Sequence, residues 1–318
     1  MSRILLGRAY LGLGRYADAE AKLSTPGPAS AEPARLEGLS RVAEGRGDLD
    51  RAISMMTEAV EARRKLVPVP DDPDGASLLA NSQSSLGQLA FRAGRLDLAK
   101  DQFQKAIALV SEAHAKLHEL DVPHDERDPR LYAGGATSGL ARVYAAQGNA
   151  VRADRSWRGV TARTDDPEIL AALAAFYRAR GDEKSARRHL DRALSLTAGK
   201  PAHRRIRALL LADVKATQDE ALALAEAAHA DAPDLSSIDT LAWVFHLRGD
   251  DRRAAEVLAS AIRLGTKDPT ILYHAGMIAR ARGKADEAKR HLTGSLELNP
   301  AFDPIAAPDA RRALDELR

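Results

Sequence analysis

Cysteine is absent from all 318 residues, which excludes disulfide frameworks, cysteine-ligated zinc and thiol nucleophiles. Aromatic residues make up only 4% of the chain, too few for the sandwiches and barrels that draw on aromatic and β-branched side chains. No run of 18 or more apolar residues occurs, so the sequence offers no membrane-spanning helix. The opening stretch MSRILLGRAYLGLGRY sets Arg3 and Arg8 too close together to enclose a signal-peptide core. If Met1 is the true start a cytoplasmic location is expected; a start further upstream would allow a periplasmic or secreted one. Excess charge of either sign is also lacking. The 47 basic and 45 acidic residues leave a net charge of +2, which argues against a dedicated nucleic-acid binder.

Alanine is abundant. There are 62 alanines, about a fifth of the chain, and alanine is the strongest helix former. With 45% hydrophobic and 29% charged residues, the composition is that of a folded chain and not a disordered one. Small side chains in such number predict helices packed close together.

The informative signal is a period. Glycine followed five residues later by alanine recurs as Gly14/Ala19, Gly47/Ala52, Gly94/Ala99, Gly148/Ala153, Gly181/Ala186, Gly249/Ala254 and Gly283/Ala288. The glycine spacings are 33, 47, 54, 33, 68 and 34; the 68 is two repeats of 34, the missing member keeping its alanine at Ala221. Within SSLGQLAFRAGRLDLAKDQFQKAI, Leu86 and Ala90 lie one helical turn apart, as do Ala99 and Phe103, giving each half an apolar stripe. Gly94 falls between the halves, where a left-handed residue ends a helix. Small residues at the Gly87 and Ala99 positions allow two antiparallel helices to approach, and Phe103 fills the gap toward the next repeat. Such a repeat cannot bury its own face, so stacking must complete the core.

These residues resemble the tetratricopeptide repeat. The first repeat offers Leu6-Gly7, Tyr10, Gly14, Tyr16 and Ala19, and the fourth Leu140, Tyr144, Gly148, Ala153, Trp157 and Val160. The fifth carries Leu173, Tyr177, Gly181, Ala186, Leu190 and Ala193, the seventh Leu241, Phe245, Gly249, Ala254, Leu258 and Ala261, and the eighth Gly276, Gly283, Ala288, Leu292 and Pro300. The sixth lacks the turn glycine but keeps Ala221, Ala225, Ala228 and Pro233. The family's early tryptophan is missing throughout. The resemblance spans residues 2–300 and implies an all-α, right-handed α-α superhelix of about eight helix-turn-helix repeats.

Two insertions interrupt the period. VPVPDDPDG (Val67–Gly75) is a proline-rich connection that cannot be helical throughout. After the third repeat the second helix is expected to run on through SEAHAKLHEL until VPHDERDP breaks it. Lengthened helices of this kind resemble the longer repeats of kinesin light chains and bacterial signalling proteins. The expected organisation is three repeats over 1–120, a connection over 121–133, repeats four to eight over 134–300 and a closing segment over 301–318. In that segment Ala310, Leu314 and Leu317 should face inward and Arg311, Arg312, Asp315 and Glu316 outward, as in a capping helix. The first helix begins almost at Met1 without a polar cap, which suggests a covering partner or an earlier native start.

Catalytic signatures are sparse. Three Arg-Gly-Asp triplets, Arg46–Asp48, Arg180–Asp182 and Arg248–Asp250, resemble an adhesion motif but all fall on inter-helix turns, where glycine ends one helix and aspartate caps the next. His114 and His118 stand at i, i+4 near Glu119, Asp121 and His124, a spacing that can share a metal; HExxH is absent, and a polar helix end has the same composition. The run Gly134–Gly139 lacks the Gly-Lys-Ser/Thr ending of a phosphate loop and follows no strand. No cofactor, metal or catalytic residue is assigned, and the chain is read as non-catalytic.

The family resemblance places first helices along a concave groove, with the residue just past the Leu-Gly position pointing into it. That register reads Arg8, Arg41, Gln88, Arg142, Ala175, Leu210, Trp243 and Met277, basic early and apolar late. Arg92, Arg178 and Arg280 follow three or four residues on, along a similar face. An extended protein segment or peptide with acidic groups and one apolar anchor suits it, through arginine forks on carboxylates and Trp243 as anchor. The competing reading is ordinary inter-repeat packing in an arginine-rich chain. The carboxylate clamp of chaperone-binding relatives is not carried over, because its positions hold Ile4, Arg8, Ser85 and Gln88. The expectation is a scaffold or adaptor for a protein partner, with no nucleic acid and no membrane span; the oligomeric state stays open. Two alternatives are a regulatory module of a larger signalling or transcriptional system and a metal-dependent enzyme around His114 and His118.

Overall fold

The computed structural model describes residues 3–66, 73–119, 130–161 and 165–317. Among these the chain is helical, with no strand. The helices are α1 (Arg3–Gly12), α2 (Tyr16–Leu23), α3 (Glu32–Gly45), α4 (Leu49–Leu66), α5 (Pro73–Arg92), α6 (Leu96–Glu119), α7 (Arg130–Ala146) and α8 (Ala150–Thr161). They continue as α9 (Pro167–Ala179), α10 (Glu183–Thr197), α11 (Arg204–Ala212), α12 (Gln218–Asp231), α13 (Leu235–Leu247), α14 (Asp251–Arg263), α15 (Pro269–Ala281), α16 (Ala285–Leu298) and α17 (Ala306–Glu316). Two compact units result: residues 1–11, 16–44 and 49–164 form one, and 12–15, 45–48 and 165–318 the other.

The expected corners are present. All seven turn glycines adopt positive φ, from 67° at Gly14 to 82° at Gly249. At the Gly94 corner the Arg95 N–H reaches back to the Ala90 carbonyl at 2.8 Å, the six-to-one bond of a helix ended by a left-handed residue. The same bond runs from Asn149 to Tyr144, Asp182 to Tyr177, Asp250 to Phe245 and Lys284 to Ala279. The next helix starts at once: the Ala99 N–H donates to the Arg95 carbonyl, and Ala153, Ala186, Ala254 and Ala288 repeat this. The alanine after each corner is fully buried, from Ala19 and Ala52 through Ala221 to Ala288.

Bulky side chains plug the space between neighbouring pairs. In the first unit Phe103 of α6 is buried between Gly87 of α5 and Gly139 of α7; a Cβ on Gly87 would stand 2.7 Å from its ring, and one on Gly139 would collide with it. Leu23 of α2 sits in the same way between Gly7 of α1 and Gly38 of α3. In the second unit Leu292 of α16 lies against Gly276 of α15. Gly139, read in the sequence as part of a glycine run, is therefore a slot in a helix face.

The pair without a turn glycine solves its corner with side chains. After α11 a 3-10 turn, Lys215–Thr217, leads into α12. Thr217 Oγ1 donates to the Leu211 and Val214 carbonyls. Gln218 Nε2 donates to the Ala212 carbonyl and, at 2.9 Å, to the Leu247 carbonyl at the end of α13. Carbonyls left open at a helix end are thus satisfied without a left-handed residue.

Helix starts follow the aspartates. Asp166 and Asp268 accept from the backbone N–H groups two and three residues on, with proline at the first helical position of α9 and α15. Of the three Arg-Gly-Asp triplets, Asp182 caps α10 and Asp250 caps α14, which accounts for them as corners.

The closing helix α17 buries Ala310 and half-buries Leu314 and Leu317, while Arg311, Arg312, Asp315 and Glu316 are exposed. Ala307 and Ala313 are buried as well. Its start is held by Asp303, which accepts from the Ile305 and Ala306 N–H groups. Tyr273 Oη donates to Asp309 at 2.7 Å, fastening α15 to α17. Burial and the adjacent carboxylate push the Tyr273 phenol far above its ordinary range. Helix α6 runs to Glu119 as expected. The breaker VPHDERDP and residues 67–72 of the proline-rich connection lie outside the described residues, the last three of that connection opening α5.

Candidate binding surface

The first helices of each unit present one register, six residues before the corner. In the first unit it holds Arg8, Arg41, Gln88 and Arg142, all exposed. In the second unit it holds Ala175, Leu210, Trp243 and Met277, all half-buried. The polar-to-apolar change seen in sequence is therefore a change from solvated side chains to partly covered ones.

Charges on the first unit's row are largely answered from within. Arg8 lies 3.7 Å from Glu37 of α3. Glu37 also pairs with Arg63 and accepts from Ser82 Oγ at 2.7 Å, while Arg63 donates to the same hydroxyl. Arg92 pairs with Glu44. The Arg142 guanidinium stands 4.5 Å from the centre of the Phe91 ring, a cation-π contact. Arg41 has no carboxylate partner among the described residues.

In the second unit Arg178 is 3.9 Å from Asp213 and 4.0 Å from Glu183. Burial raises the Asp213 carboxyl above its usual range, partly offset by Arg178. Arg280 pairs with Glu316 of α17. Sequence reasoning missed these partners, because each carboxylate belongs to a neighbouring pair or to the start of a second helix.

Trp243 is the centre of an aromatic cluster. Its indole stacks on His274 of α15 with centroids 4.0 Å apart and planes 16° from parallel. His246 and Tyr273 flank it at 4.9 and 5.7 Å. His274 Nδ1 lies 2.7 Å from Asp239 Oδ1, and His246 Nδ1 contacts Asp251. Both histidines are therefore fixed in orientation, and Trp243 is half-buried with one face covered. Met277 packs on the same cluster.

The histidine pair of α6 falls partly outside the described residues. His114 is half-buried, whereas the side chains of His118 and Glu119, and Asp121 and His124 entirely, lie outside the described residues. Among the described residues no cluster suited to hold a metal ion occurs, and no helix is long and apolar enough to cross a membrane.

No characterised protein matches the sequence. A family model described as the tetratricopeptide repeat matches residues 1–21, 134–158 and 167–192. Among solved structures, the human IFIT1 dimer with PPP-AAAA is 17% identical, covering 98% of this chain and 72% of that one at a TM-score of 0.50. A monomeric IFIT1 mutant with m7Gppp-AAAA is 16% identical, covering 98% and 71% at 0.52. A tetratricopeptide repeat protein from Parabacteroides merdae ATCC 43184 is 16% identical, covering 90% and 98% at 0.43. Such identities speak to fold alone. With the repeating corners, the buried alanines and the matched segments taken together, the chain carries tetratricopeptide repeats, a fold that is commonly a protein-interaction scaffold.

Proposed function

We propose that this chain is a non-catalytic scaffold that holds a protein or an extended peptide on the face of its first helices. The observation that carries the reading is the shared register: exposed Arg8, Arg41, Gln88 and Arg142 in one unit, and half-buried Trp243 and Met277 in the other. Within each unit a stack of helix pairs supplies a preorganised surface without a closed catalytic pocket. Trp243 is held by the stacked His274 ring, so little side-chain entropy is lost when a partner packs on the part left exposed. Carboxylates of the partner engage Arg41 and the Arg142 guanidinium resting over the Phe91 ring. Arg8, Arg92, Arg178 and Arg280 already have acidic neighbours, so they contribute register and solubility more than affinity. The near-balance of charge, +2 overall, supports a protein partner over a nucleic acid.

The test is affinity capture with the whole chain, followed by identification of the bound proteins and titration of the best one. Trp243→Ala and Arg142→Glu should each weaken capture by about 2 kcal/mol or more, the range of interface hot spots. An identical set of partners at identical strength with both variants would defeat the reading.

A further inference from the structure

The second unit carries another concave surface, away from the first-helix register. A groove of about 250 Å³ runs between α14, α15 and α16. Ala255, Ala259 and Ile262 of α14 form one wall, and Ala275, Ile278 and Ala279 of α15 form the floor. The floor is buried and the wall half-buried, so the groove is apolar and reachable from solvent.

Its origin is legible in the repeat. The positions of Ala255 and Ala259 lie one and five residues after the buried corner alanine. At the equivalent places α6 carries Lys100 and Gln104, α8 Asp154 and Arg158, and α10 Arg187 and Asp191. All six are polar or charged and larger than alanine. In α14 both positions are alanine, and the space stays open.

The rim is cationic. Arg263 and Arg282, both exposed, line the groove and have no carboxylate partner among the described residues. Two other arginines of these helices do have one: Arg253 with Asp250 and Arg280 with Glu316. One carboxylate, Glu287, reaches the rim, and it is already shared by Lys284 at 3.5 Å and His291 at 4.0 Å. The volume falls just short of the roughly 300–1,000 Å³ of small-molecule pockets, and suits one or two side chains of a partner.

We propose that this groove is a second docking site, taking a protein segment with a bulky apolar side chain flanked by carboxylates. The apolar side chain lies over Ala255 and Ala259, and the flanking carboxylates meet the Arg263 and Arg282 guanidinium groups. The site is independent of the first-helix face: a partner can hold one while the other stays open.

The experiment uses the full chain and synthetic nine-residue fluorescein-labelled peptides with a central Leu, Phe or Trp and Glu on both sides. A matched set carries Lys in place of Glu, and binding is read by anisotropy. At least one Glu-flanked peptide should saturate and its Lys-flanked counterpart should not. Ala259→Trp, which fills the groove, should weaken binding at least ten-fold. So should the double variant Arg263→Glu/Arg282→Glu, which alters only exposed side chains and should instead bind the Lys-flanked peptide. Equal binding of both peptide sets, no binding of any, or unchanged binding to both variants would overturn the inference. Loss of binding in Trp243→Ala with retention in Ala259→Trp would place the peptide on the first-helix face, sinking this proposal and leaving the proposed function intact.

Discussion

Trp243 and His274 lie face to face, one from α13 and the other from α15, with the imidazole also held by Asp239. The stack joins two helix pairs through three side chains, each of which depends on the others. His274→Ala would uncover the indole face and leave the largely buried Asp239 carboxylate without its partner. A loss of about 1–3 kcal/mol is expected from the unsatisfied group. Urea denaturation measures it, and a red shift of the emission from Trp243 accompanies it, since Trp157 is buried and serves as an internal constant. Asp239→Asn, which keeps an acceptor oxygen, should cost less.

Phe103 fills a slot cut by two glycines, and this fixes the signs of a mutant series. Phe103→Ala should lose about 3–5 kcal/mol, as for a buried aromatic. Gly87→Ala and Gly139→Ala should each lose about 1–3 kcal/mol through overpacking. Combining Gly87→Ala with Phe103→Leu should restore part of the loss, giving a double-mutant cycle far from additivity. Additive costs would mean that the slot does not set the spacing of α5, α6 and α7.

Two other glycines should answer in opposite directions. Gly94 has a φ of 69°, and a Cβ there costs roughly 1–2 kcal/mol, so Gly94→Ala should destabilise. Gly159 lies within α8 with nothing within 4 Å of a Cβ, so Gly159→Ala should stabilise by about 0.5–1 kcal/mol. Thermal denaturation of the two variants beside the parent checks both.

Acid should weaken the second unit through two histidines. Desolvation lowers His189 and His291 below their ordinary value of 6.5. Their unfolded forms therefore take up protons first as pH falls, and stability is lost downward from about 6.5 through the lower folded values. Above 6.5 both forms are neutral and this contribution is fully present. A denaturation midpoint that falls on acidification below 6.5, and falls less steeply in His189→Gln and His291→Gln, is the expected result.

The corners were readable in the sequence because a left-handed residue and a close helix approach each demand a particular residue type. Gly94, Gly148, Gly181 and Gly283 occupy equivalent turns, and the alanines five residues later are buried without exception. The glycines Gly199 and Gly265, also at positive φ, escaped notice because links between pairs have no fixed length. Leu190, expected in the row of plugs, is only half-buried. Arginine positions on the first-helix row were legible, but their pairing was not. Whether Arg92 meets Glu44 or Arg280 meets Glu316 depends on how neighbouring pairs rotate, which no local pattern encodes. The groove beside α14 is not legible for a related reason: two alanines in an alanine-rich chain carry no signal until the helices around them are placed.

The corner between α11 and α12 keeps the buried Ala221 while replacing the glycine with hydroxyl and amide donors from Thr217 and Gln218. Alignment of the two helices is therefore governed by the sealed alanine, and the hinge above it is replaceable hardware. Protein engineers gain an address: a single cysteine placed at the exposed Ala216 would take a reporter in a chain with no other thiol, leaving Thr217, Gln218 and their acceptor carbonyls in place.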